Sequence, residues 1–517
     1  MLRLIFNLSV FTTLIIKLVR YNVLAFSPSA KINPFFRYLF SILYLFRNRQ
    51  FDELHWGDRL TKCLIELGPS FIKFGQTLAT RSDLLGDESA TALSLLQDRL
   101  PPFPFSEAKT TVEQELGFPT EQLFSSFNES PVAAASIAQV HYAITVEGNE
   151  VAVKILRPNI EIQFSRDIGL FFLLARILEY LAPTTRRFHP VQIVEVFSKT
   201  VELELDLRME ASAASELADN FKDDLNFKVP QIDWKRTSRR VLTLEKLSGY
   251  RPDDRDGLLK SGLQPKEILK KSACIFFHQV FRDGFFHADM HPGNVFVLKD
   301  GRIAPVDFGI MGRLDIKTRF FLADMLTGFL TRDYRRVAEV HFQAGYVPRD
   351  QSVEVFAQAC RSIGEPILGL PLAEISLAKL LSQLFRITEQ FRMETQPQLL
   401  LLQKTMLVAE GVGRQVDSSV NIWELAHPLI EQWMNENKSG KAQLHRRAAE
   451  ILHFMERLPV LAENTEIVIN QLAKGDLRMD PNMISSFQKH KHKVGWKYGW
   501  LVGFGLLVVI FLSIALS

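Results

Sequence analysis

Apolar residues recur at helical spacing in the first part of the chain and then give way to shorter, strand-like runs. Residues 58–67 have helical apolar spacing, and the Gly-Pro pair at residues 68–69 ends that helix and begins another. A further helix is predicted around residues 106–116. An extended segment and the apolar run at residues 151–156 follow, joined by the turn residues Gly148 and Asn149.

Long helices and one short hairpin dominate the predicted second part. A strand at residues 241–247 precedes a linker rich in Gly, Pro and Asp. Two apolar runs, residues 295–298 and 303–306, flank an Asp-Gly pair that favours a β-hairpin. Helical patterns cover residues 166–181, 191–217 and 266–282, and they continue beyond residue 315 to about residue 474, with breaks near residues 348, 366 and 371.

Length and composition indicate a protein of two lobes plus appendages, without a nucleic-acid footprint. A chain of 517 residues exceeds what one hydrophobic core usually serves. The net charge of +3 is close to balanced, so no nucleic-acid partner is expected. The cysteines Cys63, Cys274 and Cys360 form no Cys-x-x-Cys pair, which predicts reduced core residues of a cytoplasmic-side protein.

The two ends of the chain carry apolar segments that point to a membrane. Residues 498–516 contain no charge and approach the roughly 20 residues that span a bilayer once. A basic and aromatic tract precedes this span, which places the preceding domain on the cytoplasmic side. A buried core helix is the alternative. Residues 4–16 are interpreted as an interfacial helix rather than a signal peptide, and residues 35–46 predict a second membrane-proximal helix.

The octapeptide His-Ala-Asp-Met-His-Pro-Gly-Asn at residues 287–294 carries the candidate chemistry. It is followed thirteen residues later by Asp307 in an Asp-Phe-Gly sequence. Asp289 is predicted to accept or orient a proton of the acceptor. Asn294 and Asp307 offer hard oxygen donors for Mg²⁺ bound across nucleotide phosphates. This order and spacing match a kinase catalytic loop and its metal-binding segment.

An upstream lysine and loop complete the predicted nucleotide site. Lys154 ends a Val-Ala-Val-Lys strand, as the phosphate-binding lysine of a kinase does, and Glu210 is its candidate partner. In place of a glycine-rich loop, the chain has a stiffer alanine-rich loop, although an ordinary helix would explain the same residues. The predicted nucleotide-binding loop residues are Val132, Ala133, Ala134, Ala135, Ser136, Ile137, Ala138, Gln139 and Val140.

Together these motifs resemble the UbiB family of atypical protein-kinase-like proteins, a bacterial and organellar group tied to ubiquinone biosynthesis. The most specific marks are a Lys-Phe-Gly-Gln tetrapeptide, the alanine-rich loop, a Glu-x-Asp pair with Glu210 six residues after its first member, and the octapeptide. The resemblance implies that Lys73 and Gln76 belong to an added helical segment over the site where a peptide would bind. Glu204 and Asp206 would meet that segment near the nucleotide and share its regulatory role.

The resemblance implies an α+β, two-lobed protein-kinase-like fold with a helical amino-terminal extension and a carboxy-terminal transmembrane helix. It implies an atypical kinase or ATPase that uses ATP and Mg²⁺ to support ubiquinone biosynthesis. The expected partners are membrane lipids, quinone precursors and other proteins of that pathway, at the bacterial inner membrane. The expected segments are residues 1–50 (membrane-proximal helices), 51–100 (helical extension), 101–250 (amino-terminal lobe), 251–480 (carboxy-terminal lobe) and 498–516 (membrane span).

Three other classes of protein compete with this interpretation. A lipid or small-molecule phosphotransferase shares the same spacing of Asp, Asn and Asp. A polyprenylphenol hydroxylase of the same pathway is disfavoured, because the sequence has no Gly-rich dinucleotide loop and only a single Glu-x-x-His at residues 450–453. A scaffold that merely binds nucleotide is disfavoured by the intact metal-ligand residues.

Overall fold

The structure is a computed structural model, and it describes residues 13–23, 47–79, 87–94, 96, 100–181, 189–366, 387–388, 390–393, 397–416 and 422–438. Residues 1–434 form one compact unit, and a second unit begins at residue 435. The helices and strands that surround the candidate site belong to the first unit.

The secondary structure alternates helices with short antiparallel strands. The described α-helices are α1 (Trp56–Leu67), α2 (Pro69–Ala79), α3 (Asp87–Ser94), α4 (Phe105–Leu116), α5 (Thr120–Leu123), α6 (Ile160–Leu181), α7 (Pro190–Glu204), α8 (Leu207–Asn220), α9 (Arg255–Lys260), α10 (Pro265–Phe277), α11 (Ile316–Leu330), α12 (Tyr334–Gln343), α13 (Val353–Gly364), α14 (Pro397–Val416) and α15 (Ile422–Lys438). The strands are β1 (Phe124–Phe127), β2 (Ala133–Ala134), β3 (Ala138–Thr145), β4 (Glu150–Leu156), β5 (Val241–Glu245), β6 (Gly249–Tyr250), β7 (Phe285–His287), β8 (Val295–Leu298), β9 (Ile303–Pro305) and β10 (Met311–Arg313).

An antiparallel sheet forms the centre of the amino-terminal lobe. Its strand order is β1-β3-β4-β5, with β2 paired to β3. Lys154 on β4 lies opposite Val140 on β3 and Leu242 on β5, so these three side chains share one face of the sheet. Val153 and Ile155 face the other way and are completely buried. Both faces of β4 are therefore covered, which explains its almost continuous apolar sequence.

The helical extension α1–α3 is fastened to the amino-terminal lobe by aromatic contacts. The ring of Phe74 on α2 stacks on Phe171 of α6 with centroids 4.4 Å apart, and it meets Phe197 of α7 edge-on at 5.2 Å. Phe71 meets Phe171 edge-on at 5.0 Å. Offset and edge-on ring pairs add to the gain from burial. The predicted apolar face of α2 is confirmed, and it packs on α6 and α7.

The predicted single helix over residues 191–217 is wrong, because the chain breaks between α7 and α8. Asp206 leaves the helical conformation with φ −123° and ψ 94°, and its carboxylate accepts a hydrogen bond from Arg208 N–H. An Asp at this position satisfies a free N–H at the start of a new helix. The local cap therefore overrides a helical pattern that continues through it.

Two small sheets and a set of helices form the carboxy-terminal lobe. The predicted hairpin of β8 and β9 is confirmed, with Val295 opposite Pro305 and Val297 opposite Ile303. β7 pairs with β10 in a separate two-stranded sheet. α14 packs against α10 and β10. Its residue Leu402 is buried in the same apolar cluster as Phe276 of α10.

The predicted regular helix over residues 266–282 is also wrong at its end. After Phe277 the chain continues as a π-helix, His278–Asp283, and stops at Gly284 in the left-handed conformation with φ 67°. Within this wide turn the fully buried Gln279 accepts a hydrogen bond from His287 N–H at 2.9 Å. The wide turn thus couples the helix directly to the catalytic-loop segment.

Several predictions fall on residues that the structure does not describe. They include most of residues 1–50 and the predicted span at residues 498–516, as well as the Glu-x-x-His sequence at residues 450–453. Of the helices in the described ranges, none combines the length and apolar character that a bilayer crossing requires.

Gly75 generates a stability prediction for the extension. A Cβ built at Gly75 would lie 2.5 Å from Leu96 Cδ1 and 2.6 Å from Leu64 Cδ1, and both leucines are buried. Gly75→Ala is therefore expected to lower the free energy of unfolding by about 1–3 kcal/mol through overpacking, measured by denaturant titration.

Gly169 supplies the matched control for that substitution. It lies inside α6, where an added Cβ meets no described atom within 4 Å. Gly169→Ala should raise the free energy of unfolding by up to about 1 kcal/mol, since Ala has the higher helix propensity. Equal effects of the two substitutions would contradict the packing assigned to Gly75.

Candidate active site

A buried lysine joins three separate parts of the chain at the cleft. Lys154 Nζ donates to Glu210 Oε1 at 2.8 Å and Oε2 at 2.9 Å. It also lies 3.3 Å from Asp307 Oδ2. The lysine side chain is 14% exposed and that of Glu210 is 7% exposed, whereas that of Asp307 is 42% exposed. The site therefore holds one ammonium between a buried carboxylate and an accessible one.

The environment separates the proton affinities of these groups. Burial disfavours the Lys154 ammonium, but Asp307 and Glu210 outweigh it and raise the pKa of Lys154 above its ordinary value. Burial and the Asp307 charge raise the pKa of Glu210 despite the attraction of Lys154. Burial likewise opposes ionisation of Asp307, yet Lys154 and the Gly309 N–H lower its pKa to about 2. Asp307 is consequently an ionised, accessible carboxylate at neutral pH.

The catalytic-loop residues are held by hydrogen bonds within the loop. Asn294 Nδ2 donates to Asp289 at two points, the backbone O at 3.1 Å and Oδ2 at 3.2 Å. His287 is buried, and it accepts from Asp289 N–H at 3.1 Å while its Nε2 lies against Asp307 O. Burial lowers the pKa of His287, so the ring is neutral and serves to hold the loop. The Val306 N–H donates to Asn294 O at 2.9 Å, which keeps Asn294 beside the Asp307 segment.

Asn294 and Asp307 offer oxygen ligands of the kind that suits a hard divalent cation. The amide nitrogen of Asn294 is directed to Asp289, so its carbonyl oxygen points away from that carboxylate. Amide and carboxylate oxygens are the ligands that Mg²⁺ prefers, with water and phosphate oxygens filling its other positions. The described ranges contain no group of three or more His, Cys, Asp or Glu side chains arranged so that they could hold a metal ion. A site with two protein ligands and bound phosphates would not need such a cluster.

The alanine-rich loop is a tight hairpin in the structure. Ala133 pairs with Val140 and Ala134 with Gln139, so the segment is strand and turn instead of the alternative helix. Arg157 holds the turn by donating to Ala135 O at 2.9 Å. Ser136 at the turn is fully buried, and its hydroxyl has no hydrogen-bond partner in the described structure.

Gln139 lies on the other face of the sheet from Lys154. Its amide oxygen accepts from Phe103 N–H at 3.0 Å, and its amide nitrogen lies 2.9 Å from His141 Nε2. The Gln139 side chain thus binds the segment that precedes α4 and does not face the ammonium of Lys154. Strand alternation explains this placement, because Val140 is the residue opposite Lys154.

The extension motif meets the end of α7. Lys73 Nζ lies 3.1 Å from Glu204 Oε2, with both side chains largely buried. Gln76 Nε2 donates to Leu96 O at 3.1 Å. Asp206 caps α8 and binds Arg208, which lowers the pKa of Asp206. The helix break thus puts Glu204 on one helix, facing the extension, and Glu210 on the next, facing Lys154.

One charged residue of the site, Lys404, is not among those that the sequence motifs predict. Lys404 Nζ on α14 lies 2.9 Å from Asp289 Oδ1, and its side chain is 43% exposed. The two residues are 115 positions apart. Local spacing carries no sign of the pair, because a lone lysine on a helix is an ordinary surface residue.

Two segments of the chain match known protein families. The model of the ABC1 atypical kinase-like domain matches residues 95–341, and that of the UbiB helical domain matches residues 360–421. A solved structure, the complex of Rv3197 with erythromycin from Mycobacterium tuberculosis, is similar with a TM-score of 0.51 and 27% identity. That likeness covers 69% of this chain and 90% of the other.

Curated relatives are similar over most of the chain. A protein named probable protein kinase UbiB from Marinobacter nauticus is 40% identical over 461 residues, which is 88% of this chain and 84% of the relative. The same name applies to a relative from Pseudomonas aeruginosa, 42% identical over 88% of this chain and 85% of its own. A Vibrio cholerae relative is 40% identical, with 92% and 88% covered.

The shared lysine generates an energetic prediction. Lys154→Met leaves two carboxylates without their cation and is expected to lower the free energy of unfolding by about 3–5 kcal/mol at neutral pH. Glu210→Gln should cost less, because Asp307 still pairs with the lysine. The loss for Lys154→Met should shrink as the pH falls below neutral, since Glu210 with its raised pKa takes up a proton.

Chemical denaturation at neutral pH and at a lower pH measures the cost of each substitution and its change with pH. Lys246→Met is the matched control, since Lys246 lies 3.0 Å from Glu150 in an exposed pair. That substitution should cost less than about 1 kcal/mol. A Lys154→Met cost equal to that of Lys246→Met would refute the central role of the shared ammonium.

Proposed function

Because the chain belongs to the UbiB family of ABC1 atypical kinase-like proteins, we propose that it uses Mg-ATP at the Lys154 cleft to support ubiquinone biosynthesis at a membrane. Its enzyme class is that of a kinase- or ATPase-type phosphotransferase. One observation carries the proposed cofactor use: Lys154 is bound to both Glu210 and Asp307, the arrangement in which a kinase receives a nucleotide.

Lys154 is the proposed ligand of the nucleotide phosphates. Its ammonium stays charged because two carboxylates stabilise it, and Glu210 holds it at the cleft. The alanine-rich hairpin would cover the phosphates. Its alanines limit how closely the backbone approaches them, as glycines would not.

Asn294 and Asp307 are the proposed Mg²⁺ ligands. The bound ion would neutralise phosphate charge and orient the terminal phosphoryl group. The pKa of about 2 keeps Asp307 ionised for this role, and the hydrogen bond from Asn294 to Asp289 turns the Asn294 amide oxygen outward.

Asp289 is proposed to orient the acceptor and receive its proton. In the transfer, the bond between the γ-phosphorus and the β–γ bridging oxygen breaks, and the acceptor oxygen bonds to the γ-phosphorus. The products are ADP, the phosphorylated acceptor and the proton released from the acceptor. When the acceptor is water, the phosphorylated product is inorganic phosphate. Asp289 would act in two ways, by positioning the acceptor and by receiving its proton.

The acceptor is proposed to be water or a lipid-linked molecule. The ion pair of Lys73 with Glu204 and the stacking of Phe74 on Phe171 support a firmly attached extension. The resemblance to the UbiB family implies that such a segment lies over the site where a peptide would bind. A fixed extension would disfavour protein substrates.

The membrane location and pathway are further parts of the proposal. The uncharged residues 498–516 would form a single-pass anchor in the bacterial inner membrane, with the catalytic lobes in the cytoplasm. The name UbiB shared by the curated relatives supports the link to ubiquinone biosynthesis. Membrane lipids, quinone precursors and other proteins of the pathway are the proposed partners.

Asp307→Asn tests nucleotide binding. The substitution removes a carboxylate ligand of Mg²⁺, so Mg²⁺-dependent binding of ADP or ATP, measured by calorimetry, should be lost. Asp300→Asn is the control, because Asp300 lies in the exposed β8–β9 turn and pairs only locally with Arg302. Undiminished binding by Asp307→Asn would remove the metal-site assignment.

Asp289→Asn tests the chemistry in a membrane setting. ATP turnover by the full-length protein in liposomes should rise with anionic lipid or a phenolic lipid. The variant should lower turnover by about 10²–10⁴-fold, the usual contribution of an acid-base residue. Nucleotide-independent oxidation of a polyprenylphenol with a redox cofactor would instead favour the hydroxylase alternative. Phosphorylated lipid among the products would identify the small-molecule phosphotransferase alternative.

A further inference from the structure

Lys404 is a charged residue at the catalytic loop that comes from outside the kinase-like part of the chain. It lies in α14, within the segment that matches the UbiB helical domain, residues 360–421. Its Nζ lies 2.9 Å from Asp289 Oδ1. The helical domain thus contributes a cation to the site that the kinase-like domain forms.

Apolar packing contributes to the docking of α14. Leu402, two residues before Lys404, is buried in the apolar cluster that contains Phe276. The Lys404 side chain is 43% exposed and that of Asp289 is 29% exposed. Ion pairs this accessible to water contribute little to stability. An accessible ammonium is, however, able to exchange its carboxylate for a ligand.

Asp289 divides its two carboxylate oxygens between two partners. Oδ1 faces the Lys404 ammonium, and Oδ2 accepts from the Asn294 amide at 3.2 Å. Asn294 is also a proposed ligand of the metal that holds the phosphates. Lys404 therefore lies at one carboxylate oxygen of Asp289 and the Asn294 amide at the other, and Asp289 is the residue proposed to orient the acceptor.

The other described cations near the site already have partners or lie outside the loop. The catalytic loop from His287 to Asn294 contains no lysine or arginine. Arg157 is occupied by the backbone oxygens of Ala135 and Pro101. Lys154 is already shared by two carboxylates. Charge that spreads over the oxygens of the transferred phosphoryl group requires a positioned donor, and Lys404 is the described ammonium next to Asp289.

We propose that Lys404 is a catalytic residue that binds the γ-phosphate of ATP, an inference that rests on the proposed function. When ATP binds, the ammonium exchanges Oδ1 of Asp289 for γ-phosphate oxygens, and Oδ1 becomes available to the acceptor. Lys404 makes and breaks no covalent bond. The acceptor proton goes to Asp289, and the electron pair of the broken bond leaves with ADP.

The test compares two nucleotides on the full-length protein. Binding of Mg²⁺ with ADP and with a non-hydrolysable ATP analogue is measured by calorimetry for wild type, Lys404→Met and Lys404→Arg, together with ATP turnover. We expect Lys404→Met to lower the affinity for the ATP analogue by about 10-fold or more and to change the affinity for ADP by less than about 3-fold. The same substitution should lower kcat by about 10²-fold. Lys404→Arg should recover part of each loss, because it retains the charge.

The control and the contrary outcomes separate this inference from the proposed function. Lys270→Met removes a comparable exposed lysine of α10, which lies 2.9 Å from Glu267, and should behave as wild type. Equal weakening of ADP and analogue by Lys404→Met, or turnover like wild type, would overturn the role of Lys404. Absence of nucleotide binding by wild type and Lys270→Met would overturn the proposed function itself. If Lys404→Met fails to fold, as judged by circular dichroism, Lys404→Gln carries the same comparison.

Discussion

The site depends on one ammonium that cannot be buried alone. Lys154 is held by Glu210 from α8 and by Asp307 from the segment after β9. Transfer of a charged group from water is costly unless opposite charges and hydrogen bonds compensate it. The requirement therefore links the sheet of the amino-terminal lobe, the helix beside it and the Asp307 segment of the other lobe. Loss of the lysine leaves both carboxylates without their cation, whereas loss of either carboxylate leaves the lysine with one partner.

The helix break before α8 allows a second ion pair, that of Lys73, to form beside the ion pair of Lys154. Asp206 caps the new helix, so Glu204 and Glu210 lie on two different helices and their side chains face different elements. Glu204 then pairs with Lys73 of the extension, while Glu210 pairs with Lys154. Two neighbouring carboxylates thus serve two cations on different elements. A single short turn therefore separates the ion pair of the extension from the ion pair of Lys154.

Much of the fold follows from local rules. The Gly-Pro pair after α1, the Asp-Gly turn between β8 and β9, and the apolar runs of β4 and β5 each act within a few residues, and the predicted elements are there. The break at Asp206 and the π-helix before Gly284 were not predicted. At Asp206 the capping carboxylate accepts a hydrogen bond from the Arg208 N–H, and in the wide turn Gln279 accepts one from the His287 N–H. The hydrophobic pattern continues through both points and carries no sign of either contact.

The sequence by itself determined the kind of chemistry, because a lysine, three carboxylates and an amide at these spacings suit phosphoryl transfer from a nucleotide. Tertiary structure decided which of these groups meet. It shared Lys154 between two carboxylates, turned Gln139 to the face of the sheet away from that lysine, and brought Lys404 to Asp289 across 115 positions. Sequence spacing specifies which side chains share a face only within one helix or strand. Contacts between elements arise from the packing of whole apolar surfaces, which no local motif encodes.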